Sequence, residues 1–292
     1  MTATTRDQQI EAARSLTLPE KDQKLGRILR EMDRVLIAFS GGVDSTFLLA
    51  RAVQELGDRA IAVTAASETF PTREFEAAKH LAKQIKAKWF ATEIREMENP
   101  NFVSNPTNRC FYCKDGLYEH LGEMALHNDW NAVLCDGANM DDLGDYRPGR
   151  MAAQERGVRS PLQEAGLFKE ELRQLSKELG LPTWNKPSFA CLSSRIPYGS
   201  PITLEKIDQV DKAEGFLMSL GFYQIRVRHH DQIARIEVMP DDFSRVLENH
   251  SKIAQALQEI GFTYVTLDLG GYQTGSMNAV LGAAEKETYG GA

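Results

Sequence analysis

The stretch FSGGVDST, Phe39 to Thr46, constrains this chain more than any other. It joins an apolar run, RVLIAFS, to an amphipathic one, TFLLARAVQEL, through two adjacent glycines. A short apolar run bounded by glycine reads as a buried strand, and the longer run after it as a helix. The pattern then repeats. AIAVTAA, KWFATEI and AVLCDGAN read as strands, alternating with the helical REFEAAKHLAKQI and KDGLYEHLGEMALHN, and FKEELRQLSKELG adds a further helix. Such alternation predicts an α/β fold, a doubly wound parallel sheet with helices on both faces and ligands at the carboxyl ends of its strands.

The turn itself predicts an anion site. Ser40, Gly41, Gly42, Val43, Asp44 and Ser45 lie where a strand feeds a helix, and there free backbone N–H groups and the helix dipole favour negative charge. The glycines permit close approach, and the two serine hydroxyls add donors. The P-loop lysine and the G-x-G-x-x-G spacing are both absent, so neither of those nucleotide motifs applies. Asp44 is an odd neighbour for bare phosphate and a sensible one for Mg²⁺ bridging carboxylate and pyrophosphate. An isolated SGG would be an ordinary turn; the whole hexapeptide in this setting points to a nucleotide. A second turn, CDGANMDD, ends the fourth predicted strand and brings Asp136, Asp141 and Asp142 to the same edge, as nucleotide or metal partners or as a solvated loop.

Beyond RIPYGSP the pattern changes. A helix, TLEKIDQVDKAEGFLMSLG, precedes a hairpin of QIRVRHH and IARIEVMP, then a single helix over FSRVLENHSKIAQALQEIG, then YVTLDLGGY. We therefore divide the chain into residues 1–199, the nucleotide-binding α/β part, and 200–292, a smaller α+β part for substrate binding or oligomerisation. The terminal AAEKETYGGA is expected to be loose. No stretch approaches the roughly 20 apolar residues of a membrane span, and MTATTRDQQIEAARS lacks the apolar block of a secretory signal, so a cytoplasmic location without membrane contact is expected. A net charge of −7 without a long basic run argues against stable nucleic-acid binding.

Four cysteines remain to be explained. In a reducing compartment the close pair Cys110 and Cys113 reads as metal-binding, redox-active or incidental rather than as a disulfide. Cys135 ends an apolar strand, where a thiol usually packs. Cys191 is the unusual one. It lies in KPSFACLSSRIPYG, among turn formers, where a merely packed thiol is out of place.

These segments carry a resemblance. SGGVDS resembles the loop of the PP-loop ATP pyrophosphatase superfamily, and the stretch from RSPLQEAG to RIPYG together with LDLGGYQTGSMN closely resembles its ATP-dependent sacrificial sulfur transferase family, LarE, from about Leu25 to Asn278. The resemblance implies that a carboxylate of pyridinium-3,5-dicarboxylate mononucleotide attacks the α-phosphorus of ATP, and that sulfur then displaces AMP, in nickel-pincer nucleotide biosynthesis. Cys191 falls at the sulfur-donating position, where one subgroup surrenders its own sulfur and is left with dehydroalanine. Another subgroup adds a C-x-x-C pair and holds a [4Fe–4S] cluster on three cysteines. Cys110, Cys113 and Cys191 fit that second pattern, three thiolates leaving one iron free for an extra sulfide.

The same resemblance implies a substrate-phosphate site of Arg226, Arg228 and Glu237, with Ser194 nearby and Glu214 on the preceding helix. Read by itself, the hairpin alternates Ile225 and Val227 with the two arginines, which makes a surface salt-bridged face or a bidentate anion site. Arg109, Phe111 and Lys114 flank the cysteine pair; Phe111 and Trp184 are expected to pack rather than stack on a ring. A small-molecule nucleotide substrate, a sulfide donor protein and a homo-oligomer, hexameric by resemblance, complete the expected partners. The competing readings are a tRNA thiolase, which shares the loop, and a non-catalytic iron–sulfur and nucleotide-binding module.

Overall fold

The computed structural model of the chain describes residues 5–144, 147–188 and 190–282. The AAEKETYGGA tail lies outside them. In chain order the elements are helices α1 (Arg6–Arg14) and α2 (Leu18–Met32), strand β1 (Val35–Ala38), α3 (Val43–Leu56), β2 (Ala60–Ala66), α4 (Thr72–Ile85), β3 (Lys88–Glu93), α5 (Pro100–Val103), α6 (Arg109–His127) and β4 (Val133–Cys135). There follow α7 (Gly149–Glu155), α8 (Pro161–Ala165), α9 (Lys169–Glu178), α10 (Leu204–Ser219), β5 (Ile225–His230), β6 (Ile233–Val238), α11 (Phe243–Glu248), α12 (His250–Ile260) and β7 (Tyr264–Leu267).

The first four strands form one parallel sheet in the order β3-β2-β1-β4. Both its faces are covered, as the near-continuous apolar strands require. Val35, Ile37, Ala60 and Ala62 pack with α2, α3, α4, α8 and α9 on one side, while Leu36, Ile61 and Val63 pack against Leu117, Leu121 and Met124 of α6 on the other. The strand order reverses between β1 and β4, and a reversal of this kind opens a crevice at the carboxyl ends. The loops after those two strands meet there: a Cβ on Gly137 would stand 3.1 Å from the Ser45 amide nitrogen.

The second sheet is three-stranded, β5-β6-β7, with β5 and β6 antiparallel and β6 and β7 parallel. Its apolar face, Ile225, Val227, Ala234, Ile236 and Val238, packs with Ala213 and Leu217 of α10 and Ile253 and Leu257 of α12. Two local readings change. The helix expected over 243–261 is two helices meeting at Asn249, whose backbone (φ −100°, ψ 10°) leaves the helical path. The helix expected from Lys114 begins five residues earlier, so both residues of the C-x-x-C pair lie within α6, as its second and fifth residues.

The turn after β1 depends on one glycine. Gly41 has φ +69°, and a Cβ there would stand 3.1 Å from the Cα of Ala78 on α4. Left-handed backbone costs a non-glycine residue about 1–2 kcal/mol even before that clash. Gly41→Ala is therefore expected to lower the urea midpoint by at least this amount of stability; an unchanged midpoint would show that the turn does not need its left-handed residue.

Candidate active site: a glycine turn joined to a cysteine strap

The glycine turn leads into α3, and the residues around it include two lysine–carboxylate pairs. The helix begins at Gly42 without a side-chain cap, so its first N–H groups remain available. Ser40 Oγ lies 3.1 Å from Ser45 Oγ across the turn. Asp44 Oδ2 accepts from Lys169 Nζ at 2.5 Å, and its other oxygen from Asn139 Nδ2 at 3.4 Å. Glu74 sits one helical turn before Ala78 on α4 and accepts from Lys186 Nζ at 2.7 Å, while the same ammonium donates to Gly41 O at 3.1 Å. Neither lysine is marked by any local pattern, since they lie 125 and 145 residues beyond their partners in the loop.

The second acidic turn is largely self-contained. Asp136 accepts from Tyr118 Oη at 3.1 Å and Ser160 Oγ at 2.7 Å, Asp142 pairs with Arg147 at 2.8 Å, and Asp141 accepts the α9 amide of Lys169 at 2.6 Å. It braces the crevice, and its Asn139 side chain reaches the glycine turn. Cys135 is buried in the sheet core, its thiol 3.8 Å from the Met32 sulfur and pushed up in pKa by burial. It packs, and does not join the other thiols.

The other three share one neighbourhood, with Cys113 packed against the apolar cluster that contains Leu192, the residue after Cys191. Cys110 and Cys113, three residues apart on one face of α6, are both raised in pKa, chiefly by burial; the nearness of Cys191 contributes to each. Cys113 also donates to Glu96 Oε1 at 2.8 Å, and the Glu96 carboxylate is the next cause of its shift. Glu96 follows β3 at the carboxyl edge of the sheet, and that position was the available signal for a residue the sequence reading passed over. Among the described residues no three His, Cys, Asp or Glu side chains close around a single metal ion. A [4Fe–4S] cube takes each thiolate on its own iron, and the donor set here, two thiols from a helix turn and a third from a facing loop, suits it.

Cys191 precedes a turn of 3₁₀ helix, Leu192–Arg195, and its sulfur lies 3.0 Å from Ser193 Oγ. Arg195 organises this turn. Its guanidinium donates to Ala190 O at 2.7 Å, Cys191 O at 3.1 Å and Ser194 Oγ at 2.8 Å, and grips Glu214 by two bonds of 2.8 and 3.0 Å. Both side chains of that ion pair are 0% exposed. Burial pushes the Glu214 carboxyl up, but Arg195, Arg226 and the Val227 amide together hold it below the ordinary carboxylate range. Glu214 thus spends its oxygens inside the fold.

The alternating arginines of β5 are buried, not a surface face. Arg228 bonds Ser194 O at 3.1 Å, Glu237 at 2.8 Å and Ser276 Oγ at 2.9 Å; Glu237 is shared with Arg235 at 3.3 Å. Arg226 donates to two carbonyls, Ile225 O and Ser188 O, and lies 5.1 Å over the Tyr272 ring. Burial, then the neighbouring Arg195 charge, bring its pKa down to about 10. A cation desolvated in this way is stabilised by an arriving anion. Around the cysteine pair, Arg109 is buried on Asn105 and the Tyr198 ring, Phe111 packs edge-on with Tyr112, and Lys114 lies against Tyr118. Trp184 is partly exposed beneath Lys177. No helix among the described residues is long and apolar enough to cross a membrane.

No protein-family model matches the chain. Individual proteins do. It is 42% identical to the pyridinium-3,5-bisthiocarboxylic acid mononucleotide synthase of Lactiplantibacillus plantarum, over 94% of this chain and 99% of that one. An uncharacterized protein of Synechocystis is 47% identical over 90% of this chain and 99% of its own, and one of Methanocaldococcus jannaschii is 27% identical over 82% and 91%.

The buried ion pair sets a stability expectation. Because the folded pKa of Glu214 lies below its unfolded value, the stability it contributes is full above the ordinary carboxylate range and is lost as pH falls through the folded pKa. Glu214→Gln leaves Arg195 buried without its counter-charge, which costs about 3–5 kcal/mol. Urea unfolding at pH 7 should show that loss, and the difference from wild type should shrink as the pH is lowered below 4. A constant difference across this range would mean that charge is not what the pair supplies.

Proposed function

Since the chain belongs to the family of pyridinium-3,5-bisthiocarboxylic acid mononucleotide synthases, LarE, we propose that it converts the carboxylates of pyridinium-3,5-dicarboxylate mononucleotide to thiocarboxylates with consumption of ATP. The observation that carries this reading is the strap between Lys186 and Cys191. One end touches the glycine turn through Lys186 Nζ and Gly41 O, and the other presents a thiol beside Cys110 and Cys113.

The turn amides from Gly42 to Ser45 hold the triphosphate, with Asp44 toward Mg²⁺ and the Lys169 and Lys186 ammoniums at hand for phosphate charge. A substrate carboxylate oxygen attacks the α-phosphorus and pyrophosphate leaves. AMP is then a good leaving group where hydroxide was a poor one, and a sulfur nucleophile at the acyl carbon displaces it. Arg226, whose donors meet carbonyls alone among the described residues, and Arg228 take the substrate's phosphate or second carboxylate. Cys110, Cys113 and Cys191 would hold a [4Fe–4S] cluster, which when bound would supply transferable sulfur without consuming the protein. In the alternative delivery Cys191 gives up its own sulfur: its thiolate adds to the acyl carbon, and loss of its α-proton with cleavage of its Cβ–S bond leaves dehydroalanine and the thiocarboxylate.

Two measurements test this. Pyrophosphate should appear on mixing ATP, Mg²⁺ and the dicarboxylate nucleotide, and protein reconstituted with iron and sulfide should keep its intact mass through several turnovers; iron-free protein whose Cys191 becomes dehydroalanine after one cycle would replace the cluster route by the sacrificial one. Arg226→Ala should raise KM for the dicarboxylate nucleotide by about tenfold to a hundredfold, the worth of a lost hydrogen bond to a charged group. ATP affinity should stay near the wild-type value, and an equal loss of both would remove Arg226 from the substrate site.

A further inference from the structure

None of the described residues from Trp184 to Cys191 lies in a helix or strand, so their carbonyls have no ladder to satisfy them. Arginines do so instead. Arg173 donates to Trp184 O at 2.8 Å and to Lys186 O at 3.0 Å, Arg226 to Ser188 O, and Arg195 to Ala190 O at 2.7 Å. Every second carbonyl from 184 to 190 thus meets a guanidinium, drawn from α9, from β5 and from the cysteine turn itself. Such an arrangement fixes the path of a chain that has no regular structure of its own.

Arg173 stands apart from the other two. Arg195 is fully buried, and Arg226 faces the substrate region, whereas Arg173 is partly exposed on α9 and does nothing else in the described structure than hold the strap. Four residues before it, one turn along the same helix face, Lys169 holds Asp44 of the glycine turn. One rigid helix therefore grips the nucleotide turn with one side chain and the start of the cysteine strap with the next. The spacing between the two is set by a single helical turn.

We propose that Arg173 is a positioning residue for Cys191: by clamping the Trp184 and Lys186 carbonyls to α9, it sets the reach of the thiol relative to the acyl group formed at the glycine turn. This rests on the sulfur-transfer reading above. Misplacement by about an ångström, even from a residue far from the chemistry, can lower a rate by about a hundredfold. The effect should fall on sulfur transfer more than on adenylation, because Arg173 contacts neither the turn amides nor Asp44 and the Lys186 ammonium keeps its own bonds to Gly41 O and Glu74.

The test uses Arg173→Ala in the full chain with two readouts. In metal-free, ligand-free protein the alkylation rate of Cys191, followed by peptide mass mapping with iodoacetamide, should rise severalfold while the thermal midpoint stays near wild type. During turnover the thiocarboxylate formed per pyrophosphate released should fall at least about tenfold while pyrophosphate release itself stays close to wild type. Arg173→Lys, whose ammonium lacks the fork that spans two carbonyls, should recover part of that ratio. An unchanged alkylation rate, or equal losses of pyrophosphate and thiocarboxylate, would overturn the assignment. If wild-type protein releases no pyrophosphate at all, the sulfur-transfer reading fails and this role in it fails too, while the alkylation arm still reports whether Arg173 restrains the strap.

Discussion

Arg195 and Glu214 form a two-bond ion pair without solvent access, and the cysteine turn is built on it. A guanidinium removed from water must find acceptors for its donors, and those of Arg195 are spent on Glu214 and on oxygens of residues 190, 191 and 194. Glu214 in turn takes the Val227 amide, so α10, the cysteine turn and β5 are joined at one buried point. A pair of this kind contributes little net stability compared with an apolar replacement. What it does is hold a short, irregular segment in one place.

The burial of the β5 arginines follows from that junction. Arg226 and Arg228 alternate with Ile225 and Val227, so one face of the second sheet packs on α10 and α12 while the other turns toward the cysteine strap. Side chains that would be solvated on an isolated hairpin become the roof of the site. Among the described residues four arginines, 195, 226, 228 and 235, meet three carboxylates there, Glu214, Glu237 and Asp268, and the cation without a carboxylate bond is Arg226. That imbalance leaves one largely buried guanidinium held by carbonyl oxygens.

Much of the α/β half was legible because its signals are local. Apolar runs of strand length, helical periodicity and paired glycines require no knowledge of the rest of the chain, and the loops after β1 and β4 fell at the strand-order reversal where such sheets bind ligands. The errors were local too. Cysteine and aromatics carry weak helix preference, which hides the C-x-x-C pair's place in α6, and nothing at Asn249 breaks the apolar period that α11 and α12 share. Lys169, Lys186, Glu96 and Arg173 were passed over because an exposed-looking charged residue has no distinguishing pattern until its partner is known.

The sequence alone therefore determined the parallel sheet, the glycine turn between its first strand and helix and the oddity of a thiol among turn formers, since each is a property of a few neighbouring residues. The tertiary structure decided which distant residues meet: that Cys191 joins Cys110 and Cys113 while Cys135 stays in the core, that two lysines neutralise Asp44 and Glu74, and that arginines from three elements hold the strap. Those pairings arise from satisfying buried charges and unladdered carbonyls, and burial is a property of the folded whole.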